Sequence, residues 1–225
     1  MLFQFFVLPV ILLLLISYLL SNYFDSYSLA LYHYFFPVMF FMYVGYGVNA
    51  TFAFLDVNNI EGNKRLFYVP VKKEWIIISN VFSQTVFGSI TLAINYLTFY
   101  FVLARHCQNI IGSYFVLVGL IFLSNMIGIF LTLFCKNVIL IEEFFTIFQV
   151  LFTVLGGVFF RLDYYSNMPS VILKCSPLKW IMDAISLYVN SGNLNGLIKV
   201  GFGQLVISGL LYLVIHRKFK PYDFC

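Results

Sequence analysis

Charge is what this chain has least of. Lys and Arg number 13 and Asp and Glu 9 in 225 residues, while 62% of the residues are hydrophobic. A soluble globule of this size has too little interior to hide that much apolar surface, which excludes a water-soluble domain and leaves a multispan membrane protein. The net charge of +4 does not point to nucleic acid, because the basic residues sit at the ends of apolar runs and build no basic face. Cysteine is sparse as well: Cys107, Cys135, Cys175 and Cys225 form no close pair and no metal-ligand spacing. A bridge between Cys107 and Cys175, which fall on one expected side, is left open, and Cys225 lacks the three following residues of a prenylation box. The three histidines, His33, His106 and His216, lie at or near the ends of apolar runs with no helical pairing, so no metal site is expected. No G-x-x-x-x-G-K-[ST] pattern occurs, so these residues hold no phosphate cradle of their own. Without tandem repeats, linkers or low-complexity tracts, the whole of 1–225 reads as one domain.

What is present is a series of apolar runs at 2–20, 29–54, 76–103, 113–134, 138–160 and 197–215, six spans of an all-α polytopic membrane protein. The first run has no basic start and no small-residue cleavage site, so it reads as a retained span and not a removed signal. The second contains Pro37, Gly45 and Gly47, which membrane helices tolerate where neighbours re-satisfy the backbone. Gly45 and Gly47 are two apart and so make no small-xxx-small packing face. Between the fifth and sixth spans, 161–196 contains apolar pieces such as 180–189 that are too short to span and too apolar for a solvated loop, the mark of a re-entrant or interfacial element. The 28 Phe and 16 Tyr are accounted for by lipid-facing Phe and interfacial Tyr.

Orientation follows from Lys and Arg. With both termini cytoplasmic, the short inner segments carry Lys64, Arg65, Lys72, Lys73, Lys136, Arg217, Lys218 and Lys220, and the longer outer ones only Arg105, Arg161, Lys174, Lys179 and Lys199. That density difference satisfies the positive-inside tendency, whereas the reverse orientation puts the densest basic cluster outside.

The main water-facing feature is then the cytoplasmic stretch 56–75, DVNNIEGNKRLFYVPVKKEW, with Asp56, Glu61, Lys64, Arg65, Lys72, Lys73 and Glu74. Gly62 and Asn63 favour a turn, residues 64–69 suffice for about one and a half helical turns, and Pro70 discourages helix at Val69. Leu66, Phe67 and Tyr68 suit a short helix resting on headgroups or plugged into a groove on another protein; the plainer reading is a solvated loop with surface-bound hydrophobes.

The order Glu61-Gly62, Arg65-Leu66, Pro70-Val71 before an apolar span resembles the permease subunits of type-2 ABC exporters. A second stretch, Gly156-Gly157-Val158-Phe159-Phe160, Met168-Pro169, Ser176-Pro177-Leu178 and Asp183-Ala184, resembles the same family from the end of its fifth span through its small extracellular helices. The resemblance covers nearly the whole chain. It implies a bacterial cell membrane protein, a coupling helix built from Glu61, Gly62, Lys64, Arg65, Leu66, Phe67, Pro70, Lys72 and Lys73, and an extracellular re-entrant motif carrying Gly157, Pro169, Pro177 and Asp183. It further implies a separate ABC ATPase subunit holding ATP and Mg, a second permease copy or paralogue completing the pathway, and no cofactor on this chain. Arg161 stands where the family often has Pro, and Ser186 where an Arg commonly follows the Asp-Ala pair. The family layout also opens with an amphipathic helix, while the first span here begins at Leu2, so either that helix is missing or the start lies upstream.

Glu142 and Glu143 lie one to two turns from Lys136 and can reach the cytoplasmic interface, to pair with that lysine or meet a partner. An adjacent Glu pair also opens the motif of intramembrane CAAX-type proteases. Here Glu143 is followed by Phe144, Phe145, Thr146 and Ile147 with no Arg before Arg161, and no His sits on the later spans' interior, so that enzyme reading lacks its machinery. Scattered Asn80, Gln84, Asn95, Ser124, Asn125 and Gln149 serve equally to bond across helices or to touch cargo. An apolar, aromatic-rich pathway suits an amphipathic peptide or hydrophobic drug. The alternative from another class is a non-transporting immunity or scaffold protein.

Overall fold

The computed structural model describes residues 3–55, 73–106, 109–155 and 176–218, and these are mostly helical, with no strand among them. A π-helical turn, Phe3–Val7, runs into α1, Leu8–Leu19. There follow α2, Tyr27–Val44; α3, Gly47–Leu55; α4, Lys73–Thr98; α5, Tyr100–His106; α6, Ile111–Thr132; α7, Val138–Leu155; α8, Pro177–Ser191; and α9, Leu194–Lys218. Among the described residues, four helical stretches are long and apolar enough to cross a membrane: Tyr27–Ala53, Glu74–Thr98, Ile111–Thr132 and Leu194–Lys218. Phe5–Leu19 is a shorter apolar helix.

Helix boundaries follow local chemistry. Ser26 caps α2, its hydroxyl accepting the Leu29 N–H at 3.3 Å. From there α2 is apolar on every face, and Phe35, Phe36, Val38, Met39 and Phe40 are all buried, as expected of a helix surrounded by other helices. The expected third span is divided at Phe99, between α4 and α5; one residue earlier the Thr98 hydroxyl back-bonds to the Ile94 carbonyl at 2.9 Å, a bond that competes with the helix ladder. α8 ends on Gly192, whose φ of 72° is the left-handed conformation that glycine adopts without Cβ strain, and its N–H closes on the Tyr188 carbonyl at 2.8 Å. At 1.5 Å per residue α8 is about 22 Å long, too short to cross a bilayer. It lays Leu178, Ile181, Ile185 and Val189 inward and leaves Trp180, Asp183 and Leu187 outside. The expectation of a short element in this segment is thus met by a single amphipathic helix over its described part.

α6 is the hub. It packs against α2, α3, α4, α7, α8 and α9. It meets α3 backbone to backbone, and the reason is two glycines and a serine. A Cβ on Gly47 would overlap the Ser124 carbonyl, and a Cβ on Gly128 would overlap the Gly47 carbonyl. Ser124 and Gly128 are four apart on α6, so the small-xxx-small face lies on α6 and Gly47 is the knob it receives.

One end of the bundle gathers a second apolar cluster of Ala50, Ile77, Val81, Met126, Ile129 and Ile215. Here the helices flanking the charged stretch, α3 and α4, meet the ends of α6 and α9. Glu74 pairs with His216 at 3.0 Å, and the Lys218 ammonium lies 4.9 Å from the Phe134 ring centroid. At the opposite end Tyr32 bonds to Asn190 at 2.9 Å and stacks on His106.

Because both overlaps at the α3 and α6 crossing are with backbone, Gly47→Ala or Gly128→Ala is expected to destabilise the protein by about 1–3 kcal/mol. Gly203→Ala, where the added carbon meets nothing within 4 Å, is expected to be neutral. Thermal unfolding of the three variants in detergent, followed by loss of monodisperse protein, measures the contrast.

Candidate functional site

Within the apolar bundle, among the described residues, three gaps in helix hydrogen bonding are re-satisfied by side chains from facing helices. The first is at Pro9, which has no N–H and so leaves the Phe5 carbonyl without its α-helical donor. Asn95 on α4 supplies it, its Nδ2 donating to the Phe5 oxygen at 3.1 Å, and the Tyr43 hydroxyl stands 3.4 Å from the same oxygen. Tyr43 and Asn95 are bonded to each other at 3.2 Å, and Tyr43 donates to Thr91 at 3.2 Å. This buried cluster ties the start of the chain to α2 and α4.

The other two lie at the break between α2 and α3. The expected second span is not one helix: the backbone turns at Gly45 and Tyr46, where Tyr46 N–H bonds to Tyr43 O at 3.3 Å and Val48 N–H to Gly45 O at 3.3 Å. Those short-range bonds strand the Val44 carbonyl and the Gly47 N–H. Ser124 takes both, its hydroxyl donating to Val44 O at 2.5 Å while its oxygen accepts Gly47 N–H at 2.9 Å. One turn earlier, Gln149 on α7 donates from Nε2 to the Phe41 carbonyl at 2.5 Å. Gly45 makes room for that amide, since a Cβ there would lie 2.9 Å from the Gln149 Oε1. Of the scattered polar residues, Asn95, Ser124 and Gln149 therefore bond across helices to interrupted backbone. Asn80 also bonds across helices, donating to Ala50 O within α3 at 3.3 Å, and Asn125 donates to Thr85 at 3.2 Å.

Beside the break, between α2, α3 and α7, lies a pocket of about 80 Å³. Its apolar walls are Phe5, Met42, Val48, Phe52 and Phe145, and its polar groups are Asn49, Glu142, Thr146 and Gln149. Asn49 is 4% exposed, and its side chain makes no hydrogen bond to the described residues. Thr146 donates to the Glu142 carbonyl at 2.9 Å, one turn along α7. The pocket thus carries one carboxylate and several neutral oxygens among aromatic rings, and no basic residue lines it.

The sequence-predicted residues divide accordingly. Glu142 and Glu143 are both exposed on the second turn of α7, and only Glu142 lines the pocket. Neither is paired with Lys136 in the ion pairs described. Asp183 is exposed on the outer face of α8, and Pro177 opens that helix at its first turn. Lys73 is the first residue of α4. Glu61, Gly62, Lys64, Arg65, Leu66, Phe67, Pro70, Lys72, Gly157 and Pro169 lie outside the described residues. Among the described residues no group of three or more His, Cys, Asp and Glu is placed to hold a metal ion. Asn49, Thr146, Thr91 and Tyr43 were not singled out from sequence; the available signal was Pro9 and the Gly45-Tyr46-Gly47 triplet, which mark where apolar helices lose backbone bonds. Comparisons with protein families, with curated proteins and with solved structures find no match for this chain.

Removing the Ser124 hydroxyl leaves a carbonyl and an N–H unpaired at the break, so Ser124→Ala is expected to cost about 1–3 kcal/mol. Amide exchange at Gly47 should rise in the same variant, and a Gly47 amide as protected as in the parent would show that Ser124 is not its partner.

Proposed function

We propose that this chain is the membrane-spanning permease subunit of an ATP-driven exporter of the type-2 ABC class, with six spans and a coupling helix in the stretch 56–75. The observation that carries the reading is the ordered pair of motifs, from Glu61-Gly62 to Pro70-Val71 and from Gly156-Gly157 to Asp183-Ala184, on a chain whose described part is an all-helical bundle with apolar helices of spanning length. The short amphipathic α8, just before the last spanning-length helix, supports it, because the family resemblance implies a short helix there.

In this reading ATP and Mg are held by a separate ATPase subunit. Arg65, Lys72 and Lys73 give charge complementarity to an acidic groove on that partner, and Leu66 and Phe67 supply the buried anchor. ATP-driven closure of the ATPase pair acts on the loop as a bias between two arrangements. Movement of the loop reaches α3 and α4 first, since those are the helices it joins. α3 is set off from α2 by the turn at Gly45 and Tyr46 and is seated on α6 through Gly47, so movement of α3 is passed on to α6. A second permease copy or paralogue completes the pathway, the cargo is an amphipathic or hydrophobic peptide or drug, and the complex sits in the bacterial cell membrane with both termini cytoplasmic.

Two measurements test this. Affinity-tagged chain solubilised from its native membranes should bring down a protein with a Walker-type nucleotide site. Arg65→Glu should lower that recovery by roughly tenfold or more, through loss of a charge contact at the interface. In cells carrying both subunits, Arg65→Glu and Pro70→Ala should abolish export of a hydrophobic fluorescent dye while the protein stays in the membrane at parental levels. Normal export by both variants removes the coupling assignment, and full function without any ATPase favours the immunity or scaffold reading.

A further inference from the structure

From the pocket beside the α2 and α3 break we infer that this chain binds an organic ammonium group there, with Glu142 as its counter-ion. The inference concerns this chain alone and does not need the export reading to hold.

The chemistry of the lining selects the ligand. Gln149 gives one N–H of its amide to the Phe41 carbonyl and keeps its oxygen, Oε1, as an acceptor. The Thr146 hydroxyl has given its proton to the Glu142 carbonyl, so it can only accept. Glu142 adds a carboxylate with no ion-pair partner among the described residues. Asn49, buried at 4% exposure and unbonded through its side chain to the described residues, adds an amide. A primary ammonium is the complement of that set, with three donors, no acceptor and one positive charge. Phe5, Phe52 and Phe145 surround the polar groups, and aromatic faces attract an organic cation further. An anion is disfavoured by Glu142 and by the absence of any basic lining residue. A hard divalent cation is disfavoured too, since one carboxylate amid phenyl rings is far from the oxygen shell it requires.

Size sets the rest. Sites for drug-sized ligands run to about 300–1,000 Å³, and this one holds about 80 Å³. It therefore takes the ammonium and its first carbons, while the remainder of the molecule stays outside. Lysine side chains, small alkylamines and the headgroup of an aminophospholipid all present that group.

The test uses the purified full chain in phosphatidylcholine nanodiscs and monodansylcadaverine, a fluorophore whose alkyl chain ends in a primary ammonium. Saturable binding is expected for the parent and for Glu143→Gln, with Glu142→Gln weakening it by roughly tenfold or more, as loss of a charge-assisted partner requires. The N-acetylated probe, identical but uncharged, should fail to bind the parent saturably. Equal affinity of the parent and Glu142→Gln for the amine, or saturable binding of the acetylated probe, overturns the assignment. Replacing phosphatidylcholine by phosphatidylethanolamine distinguishes the sources: suppression of dye binding identifies a lipid headgroup as occupant, and unchanged dye binding that a lysine-bearing peptide displaces identifies a soluble amine.

Discussion

In a medium without water, a backbone N–H or C=O that loses its helical partner has to find another within the protein, and leaving one unpaired costs on the order of several kcal/mol. The interior of this bundle is arranged around that requirement. Pro9 and the turn at Gly45 and Tyr46 interrupt helices that composition alone would continue. Each interruption is met by a side chain from a neighbour: Asn95 at Phe5, Ser124 at Val44 and Gly47, Gln149 at Phe41. The polar residues in the apolar runs are few, and these have specific work in holding α4, α6 and α7 in place against the first two helices.

Close packing follows from the same geometry. For the Ser124 hydroxyl to reach two backbone atoms on the other helix, α6 and α3 have to approach until backbone touches backbone. That distance is open only to residues without a side chain at Gly47 and Gly128. Hydrogen bonding and sterics thus specify one register between the two helices, since a shift of one residue on α6 would lose the bond and introduce a clash together. The hub position of α6 is a consequence of this contact as much as of its length. Meanwhile α9, only 17% buried over its most apolar window, is held to the same hub from the periphery and keeps Phe202, Leu205, Leu210 and Leu213 outside.

Most of the all-α class and the approximate limits of the apolar helices were readable from composition, because a run such as 113–134 has few alternatives in any environment. The short helix between the fifth and sixth runs was readable for the same reason, 180–189 being apolar yet too brief to span. The break in 29–54 was not. Gly45 and Gly47 are tolerated within continuous membrane helices, and what decides the outcome is Ser124 and Gln149, distant in sequence, offering bonds that make the turn affordable. The second run was rightly read as holding no small-xxx-small face of its own, and the motif elsewhere was missed for a related reason. Spacing was sought within the second run, while the four-residue repeat lies on α6 and the second run contributes only one glycine to it. Of the candidate site, Glu142 was singled out from sequence as an acid near a helix start. Its company could not be, since Phe5, Asn49 and Gln149 come together only through the fold.

The bond between Phe5 and Asn95 has a consequence for the order of events during synthesis. The acceptor is made 90 residues before its donor. For that interval the first helix is structurally unfinished. Tyr43, which approaches the same carbonyl, arrives earlier with α2 and can serve as a stopgap until α4 joins. The turn leading into α1 therefore gains its full set of bonds only when α4 joins, and a nascent chain stalled before that point has Tyr43 alone to meet the Phe5 carbonyl.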